Sequence, residues 1–186
     1  MKIYTKSGDK GMTSIIGGQR LKKSSPRVRA YGSTDEINAW VGTIIAELDS
    51  AKFSELIEEL THIQILLFDA GTDFATPAKR KEWLINQQDL DKIEKMIDFY
   101  QSKLPIIEKF ILPGGHLVAG YFHIARTVTR RAEREITELI MKEETNEIAY
   151  KFINRLSDLF FVLARYINVV YSIKELFYER AGKVFH

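Results

Sequence analysis

The stretch from about Asn146 to Ile173 constrains the fold most. Its apolar residues Phe152, Ile153, Leu156, Leu159, Phe160, Phe161, Leu163, Ile167 and Val170 go nearly all the way round a helix. A helix with no wide polar face belongs in the middle of a bundle or at a subunit interface. It therefore demands other helices, and four more precede it. "STDE" gives Ser33 and Glu36 the spacing of a capping box, and Ile37, Val41, Ile44, Ile45 and Leu48 follow as a stripe. A second helix carries Phe53, Leu56, Ile57, Leu60, Ile63, Leu67 and Ala70. The third carries Leu90, Ile93, Ile97, Tyr100 and Leu104, with Pro105 as its stop. "LPGG", Leu112 to Gly115, is a break, and a fourth helix runs from there to about Met141.

No strand–helix alternation, internal repeat or low-complexity tract interrupts this pattern. The spacing predicts one all-α domain over residues 1–186. Residues 1–32 form a loop-rich N-terminal arm, 33–175 a five-helix bundle and 176–186 a C-terminal tail.

Composition removes several function classes. A net charge of +2 gives no general argument for nucleic acid or a membrane surface. With no cysteine, disulfides and thiolate metal sites are excluded, and a reducing compartment fits. No apolar signal core follows MKIYTKSGDK. The most apolar stretch, Leu159 to Ile173, is broken by Arg165 and Asn168 and is too short to span a bilayer. A cytoplasmic location is expected.

Four patterns could carry chemistry. "TKSGDKGMTSIIGG" mixes glycines, lysines and hydroxyls, the ingredients of an anion-binding loop. Yet Asp9-Lys10-Gly11 reverses the order of a P-loop, and on composition alone a solvated turn is the plainer reading. In "HIARTVTRRAER", Arg126, Arg130 and Glu133 share a narrow sector of the fourth helix, with Arg134 at its edge and His123 one turn before. Two arginines at i,i+4 repel, which suggests an anion such as a polyphosphate or a partner's carboxylate. A solvated face balanced by Glu133 and Glu135 is the alternative. Asn154 and Asp158 lie one turn apart on the apolar fifth helix, either as a structural hydrogen-bond pair or as metal or phosphate contacts. Glu59 and His62 form a single Glu-x-x-His. A di-iron bundle needs two such motifs plus two more glutamates, so these read as helix-face residues.

Taken together, "YTKSGDKGMTSIIGG", "SPRVRAYGSTDEINAWVG", "FILPGG", "ARTVTRRAER" and "NRLSDLFFVLAR" resemble the PduO-type ATP:cob(I)alamin adenosyltransferases, over Tyr4 to Arg165. The resemblance implies a ferritin-like five-helix bundle that assembles as a homotrimer with ATP between subunits. It implies transfer of the 5′-deoxyadenosyl group of ATP to the cobalt of reduced vitamin B12, leaving triphosphate. Thr5, Lys6, Ser7, Gly8, Thr13, Ser14 and Lys23 would contact ATP from the N-terminal loop. Arg126, Arg130, Arg131, Ala132, Glu133 and Arg134 would come from the fourth helix of the adjacent subunit, and Asn154 would lie near the phosphates and Mg²⁺. Asp35 would pair with Arg126 across the interface. Phe110 would form the apolar wall that displaces the lower axial ligand of cob(II)alamin, with Phe185 helping to close the site; core packing is the plain alternative for Phe110. Ser7 stands where the family often has threonine, with the hydroxyl kept. Implied partners are a flavin-dependent reductase and an adenosylcobalamin-dependent enzyme that takes the product. A non-catalytic, ATP-dependent cobalamin carrier or sensor would use the same residues.

Overall fold

The computed structural model describes residues 3–77 and 82–180. Five helices follow a short N-terminal hairpin: β1 (Met12–Ser14), β2 (Arg20–Lys22), α1 (Pro26–Glu47), α2 (Ser54–Ala75), α3 (Gln87–Gln101), α4 (Leu117–Ile140) and α5 (Glu147–Val170). The main contacts run α2 to α1, α1 to α4, α4 to α5 and α5 to α3. This order puts α1 and α2 at one side of the bundle and α3 with α5 at the other, with α4 between them.

α5 is buried on nearly every side, including Phe152, Leu156, Leu159, Phe160, Leu163 and Ile167. The all-round apolar pattern is thus explained within a single chain. Asn146 caps the helix, its side-chain oxygen accepting from Ile148 N–H at 2.9 Å and Ala149 N–H at 3.3 Å. α3 begins on Asn86, whose oxygen accepts from Gln88 N–H at 2.9 Å while Asp89 accepts from Asn86 N–H at 3.2 Å.

The start of α1 is a correction. Ser33 caps nothing; it lies inside a helix that begins at Pro26 with Ser25 at the N-cap position. Proline suits the first helical turn because its missing N–H has no partner there anyway. Ser33 Oγ instead donates to Glu135 on α4, and Thr34 Oγ1 donates to the Ala30 carbonyl at 2.9 Å. The capping-box residues therefore serve helix–helix contact, and the bundle begins seven residues before the expected Ser33.

The arm is also more regular than expected. Met12 pairs with Lys22 and Ser14 with Arg20 in an antiparallel hairpin. Its turn uses Gly17 and Gly18, both at positive φ, where L side chains are strained.

Buried polar groups tie the helix ends together. Arg27 donates to the carbonyls of Phe74 and Thr76, each at 2.7 Å, and to Glu143 at 2.7 and 3.0 Å. Asp73 accepts from Ile85 N–H at 3.0 Å and from Asn146 Nδ2 at 2.7 Å. These bonds join the end of α2 to the turns before α3 and α5. Among the described residues, no helix is long and apolar enough to cross a membrane.

Candidate active site

Two concave surfaces lie on different sides of the chain. The larger is a cleft of about 840 Å³ between α3, α4, α5 and the segment after α3. Arg126 and Arg130 of α4 face Arg155, Asp158 and Arg165 of α5, with Leu104 to Ile107 forming an apolar side. The smaller is a groove of about 290 Å³, lined by Ile16 of the hairpin turn, Asp35 with Tyr31, Gly32 and Asn38 of α1, and Leu67, Phe68, Gly71, Thr72 and Ala75 of α2.

α4 delivers its arginines by helical spacing. Arg126 is half-buried, and its Nε has no hydrogen-bond partner among the described residues. Burial, and then the neighbouring Arg130 charge, pull its pKa below the ordinary arginine value. A guanidinium in that state favours an anion. One turn earlier, His123 is buried with both ring nitrogens unpartnered among the described residues. Burial first and Arg126 second lower its pKa to about 4, so it is neutral at pH 7.

The other α4 residues divide. Glu133 accepts from Asn154 Nδ2 at 2.7 Å, and Asn154 Oδ1 accepts from Arg155 at 2.9 Å, which also donates to Glu94 at 2.9 Å. Asn154 therefore pairs with α4, not with Asp158. Burial pushes the Asp158 carboxyl upward, against the pull of Arg155 and Arg130. Arg134 donates to the Arg130 carbonyl at 2.8 Å. Arg131 points toward α1, where it pairs with Glu36. Ala132 is wholly buried, and its methyl packs in the core.

The N-terminal loop lies apart from the cleft. Thr5 Oγ1 and Ser7 Oγ lie 2.8 Å apart, and Arg20 donates to the Ser7 carbonyl at 2.7 Å. Lys6 takes φ +58, a conformation costly for a residue with a Cβ. A Cβ on Gly8 would meet Lys23 Nζ at 3.1 Å, so Gly8 and Lys23 are close. Thr13 and Ser14 lie on β1. The loop gathers Thr5, Lys6, Ser7, Gly8 and Lys23, but none of them lines the arginine cleft. Asp35 is exposed in the α1–α2 groove, and Arg126 lies in the cleft, so no Asp35–Arg126 pair forms within one chain.

Phe110 is 49% exposed beyond the cleft's apolar side. Its carbonyl accepts from Tyr178 N–H at 2.8 Å, and Leu112 N–H donates to the Leu176 carbonyl at 2.7 Å. Phe110 is therefore not core. Through these bonds and the bridge of Ile111 to Phe177, it lies beside Leu112, Leu176, Phe177 and Tyr178, all exposed. Phe185 lies outside the described residues.

Among the described residues, no three His, Asp or Glu side chains are grouped to hold a metal. Glu133 and Asn154 do offer adjacent hard oxygen donors, which suit Mg²⁺ arriving with phosphates and keeping several waters. His62 is exposed, and Glu59 accepts from Tyr100 Oη at 2.5 Å, so that pair builds no di-iron site. Sequence reading missed Arg155, whose place beside Asn154 in "NRLSD" was the available signal, and Arg165, whose charge on an apolar helix was another.

The profile of the family described as Cobalamin adenosyltransferase matches residues 3–167. This chain belongs to the cobalamin adenosyltransferase family. It is 45% identical over 186 residues to a corrinoid adenosyltransferase of Bacillus subtilis, covering 100% of this chain and 96% of that one. It is 39% identical to a corrinoid adenosyltransferase of Homo sapiens, covering 96% of this chain and 74% of that one. A phenylalanine-to-histidine variant of a PduO-type ATP:corrinoid adenosyltransferase from Lactobacillus reuteri, complexed with cobalamin and ATP, superposes with a TM-score of 0.94. That pair is 47% identical and covers 99% of this chain and 100% of the other. The matched region takes in both the N-terminal loop and the cleft.

Proposed function

We propose that this protein transfers the 5′-deoxyadenosyl group of ATP to the cobalt of cob(I)alamin, releasing triphosphate. The observation that carries the reading is the half-buried guanidinium of Arg126 repelled by the exposed Arg130 one turn on, beside an exposed apolar wall that carries Phe110. The first feature fits a polyanion and the second a large, apolar-faced ring system.

The reaction makes few demands on acid–base groups. The cobalt(I) electron pair attacks C5′ of ATP; the Co–C bond forms, the C5′–O bond breaks, and the electron pair leaves with triphosphate. The protein must align the reactants and stabilise the leaving charge. Arg126, Arg130 and Arg155 supply positive charge from the cleft. Glu133 and Asn154 would hold Mg²⁺, which neutralises charge on the phosphates. Neutral His123, one turn before Arg126, adds no charge to the site.

We further infer that a complete site takes two copies of the chain. Thr5, Lys6, Ser7, Gly8 and Lys23 sit on the hairpin side, while the arginine cleft is built from α3, α4 and α5. Asp35 in the groove of one copy suits Arg126 of the next. Two different patches meeting head to tail close into a ring where the rotation allows it, and the family resemblance makes that ring a trimer. Anaerobic incubation with ATP, Mg²⁺ and prereduced cobalamin tests the function. A light-sensitive alkylcobalamin with equimolar triphosphate is expected. ATP binding without triphosphate release would instead mark a carrier.

A further inference from the structure

Arg165 borders the cleft with Arg126, Arg130 and Arg155, and counting charges alone would assign it to the triphosphate. Its surroundings say otherwise. Its side chain is 5% exposed, and its Nε donates to both carboxylate oxygens of Glu175, at 3.0 and 3.2 Å. A terminal nitrogen donates to the Pro105 carbonyl at 2.9 Å. The charge is paired, and Nε and one terminal nitrogen are engaged, unlike Arg126, whose Nε has no partner among the described residues.

What Arg165 holds is the wall that carries Phe110. Pro105 is where that wall leaves α3. Glu175 begins the segment whose Leu176 carbonyl accepts from Leu112 and whose Tyr178 N–H donates to the Phe110 carbonyl. One turn along α5, buried Asn168 holds the far end: its Nδ2 donates to the Gly114 carbonyl at 3.0 Å, and its Oδ1 accepts from His116 N–H at 2.9 Å. Gly115, at φ +102, approaches so closely that a Cβ there would lie 2.2 Å from Asn168 Oδ1. The two polar residues that interrupt the apolar run of α5 thus grip both ends of segment 105–116.

We propose that Arg165, through Glu175 and together with Asn168, is a positioning residue for Phe110 and contributes nothing to phosphate binding. This rests on the reading of Phe110 as the surface that meets the corrinoid. Burial makes the Arg165–Glu175 pair stiff: removing one partner strands a charge, so the geometry is held or lost as a unit. A wall fixed in this way matters for removing the lower ligand of cob(II)alamin, where an aromatic ring must occupy a defined place. It matters less once the cobalt is already reduced.

The test compares the wild type with Glu175→Gln and Arg165→Lys in the full-length protein. Three quantities are measured: KM for ATP, turnover of prereduced cob(I)alamin, and conversion of cob(II)alamin with reduced flavin as electron donor. Electron paramagnetic resonance of bound cob(II)alamin with ATP reads the fraction that has lost its lower nitrogen ligand. For Glu175→Gln we expect KM for ATP and cob(I)alamin turnover within about threefold of wild type. Conversion from cob(II)alamin should fall about tenfold, with a matching loss of the ligand-free signal. A tenfold rise in KM for ATP in Arg165→Lys with cob(II)alamin conversion intact would make Arg165 a phosphate ligand and overturn the proposal. Equal losses in both cobalamin assays would also overturn it, as a general packing defect. Should Arg165→Lys fail to fold, Glu175→Gln alone decides. A wild type that converts neither form would refute the adenosyltransferase reading itself, an outcome distinct from a variant that fails to discriminate.

Discussion

Replacing Arg130 with alanine should separate function from stability in opposite directions. In the chain as folded, Arg130 sits one turn from Arg126 and adds to the depression of its neighbour's pKa. Like charges at i,i+4 destabilise a helix by about 0.2–0.5 kcal/mol, so Arg130→Ala should leave the ligand-free protein unchanged or raise its Tm by about 1 °C. Its backbone carbonyl accepts from the Arg134 side chain, a bond that survives the change. With ATP bound the sign reverses. Truncating one member of a desolvated charge pair costs about 2–5 kcal/mol, and a hydrogen bond to a charged group contributes about 1.5–3 kcal/mol. Because Arg130 is solvent-exposed in the single chain, the lower part of those ranges applies, about 2–3 kcal/mol, or roughly 30- to 150-fold in kcat/KM for ATP. The assay follows loss of the cob(I)alamin spectrum under anaerobic conditions, with thermal unfolding of the ligand-free variant beside it. Near-normal kcat/KM would refute the assignment. So would a loss of activity accompanied by a large fall in Tm, because that pattern belongs to a structural residue.

Three further outcomes are expected. Phe110→Ala should impair conversion that starts from cob(II)alamin more than turnover of prereduced cob(I)alamin, and equal losses would remove its ligand-displacing role. His123 binds its proton near pH 4 when folded and near pH 6.5 when unfolded, so the unfolded state takes up more protons in that window. Stability should therefore fall by up to about 3 kcal/mol as pH drops from 6.5 to 4, and His123→Leu should flatten that slope in urea denaturation; an unchanged slope would contradict the burial argument. Arg27→Met leaves the carbonyls of Phe74 and Thr76 without their donor, while the exposed Glu143 returns to water, and should cost about 1–3 kcal/mol for each unpaired carbonyl, with a loss under 1 kcal/mol in urea denaturation counting against it.

The helices were legible because their apolar periodicity is strong, and the caps and breaks around α4 and α5 fell where Gly115 and Asn146 set them. The start of α1 was misplaced for a physical reason. "STDE" has the spacing of a cap, but a serine and a glutamate one turn apart also suit contact with a neighbouring helix. The proline of "SSPR" was the better signal. The hairpin escaped because its strands are three residues each and largely polar. Arg126 and Arg130 were visible in the sequence as a one-sided charge pattern. Arg27 and Asp73 were not, because buried ionic groups take their partners from distant segments; Arg165 showed as a charge on an apolar helix, but its partners did not show. The separation of the N-terminal loop from the cleft is likewise a product of packing order, which periodicity does not carry.

The claim most exposed to a single measurement is that the loop of one copy completes the cleft of another. Chains carrying Lys6→Ala and chains carrying Arg130→Ala, each nearly inactive alone, would be co-expressed and purified as mixed assemblies. If each site joins the loop of one subunit to the arginines of the next, random mixing in a closed ring restores about one quarter of the sites. Cob(I)alamin adenosylation by the mixture should then reach about that fraction of wild-type activity. A mixture no more active than the two single variants would place loop and cleft in the same chain and contradict the account.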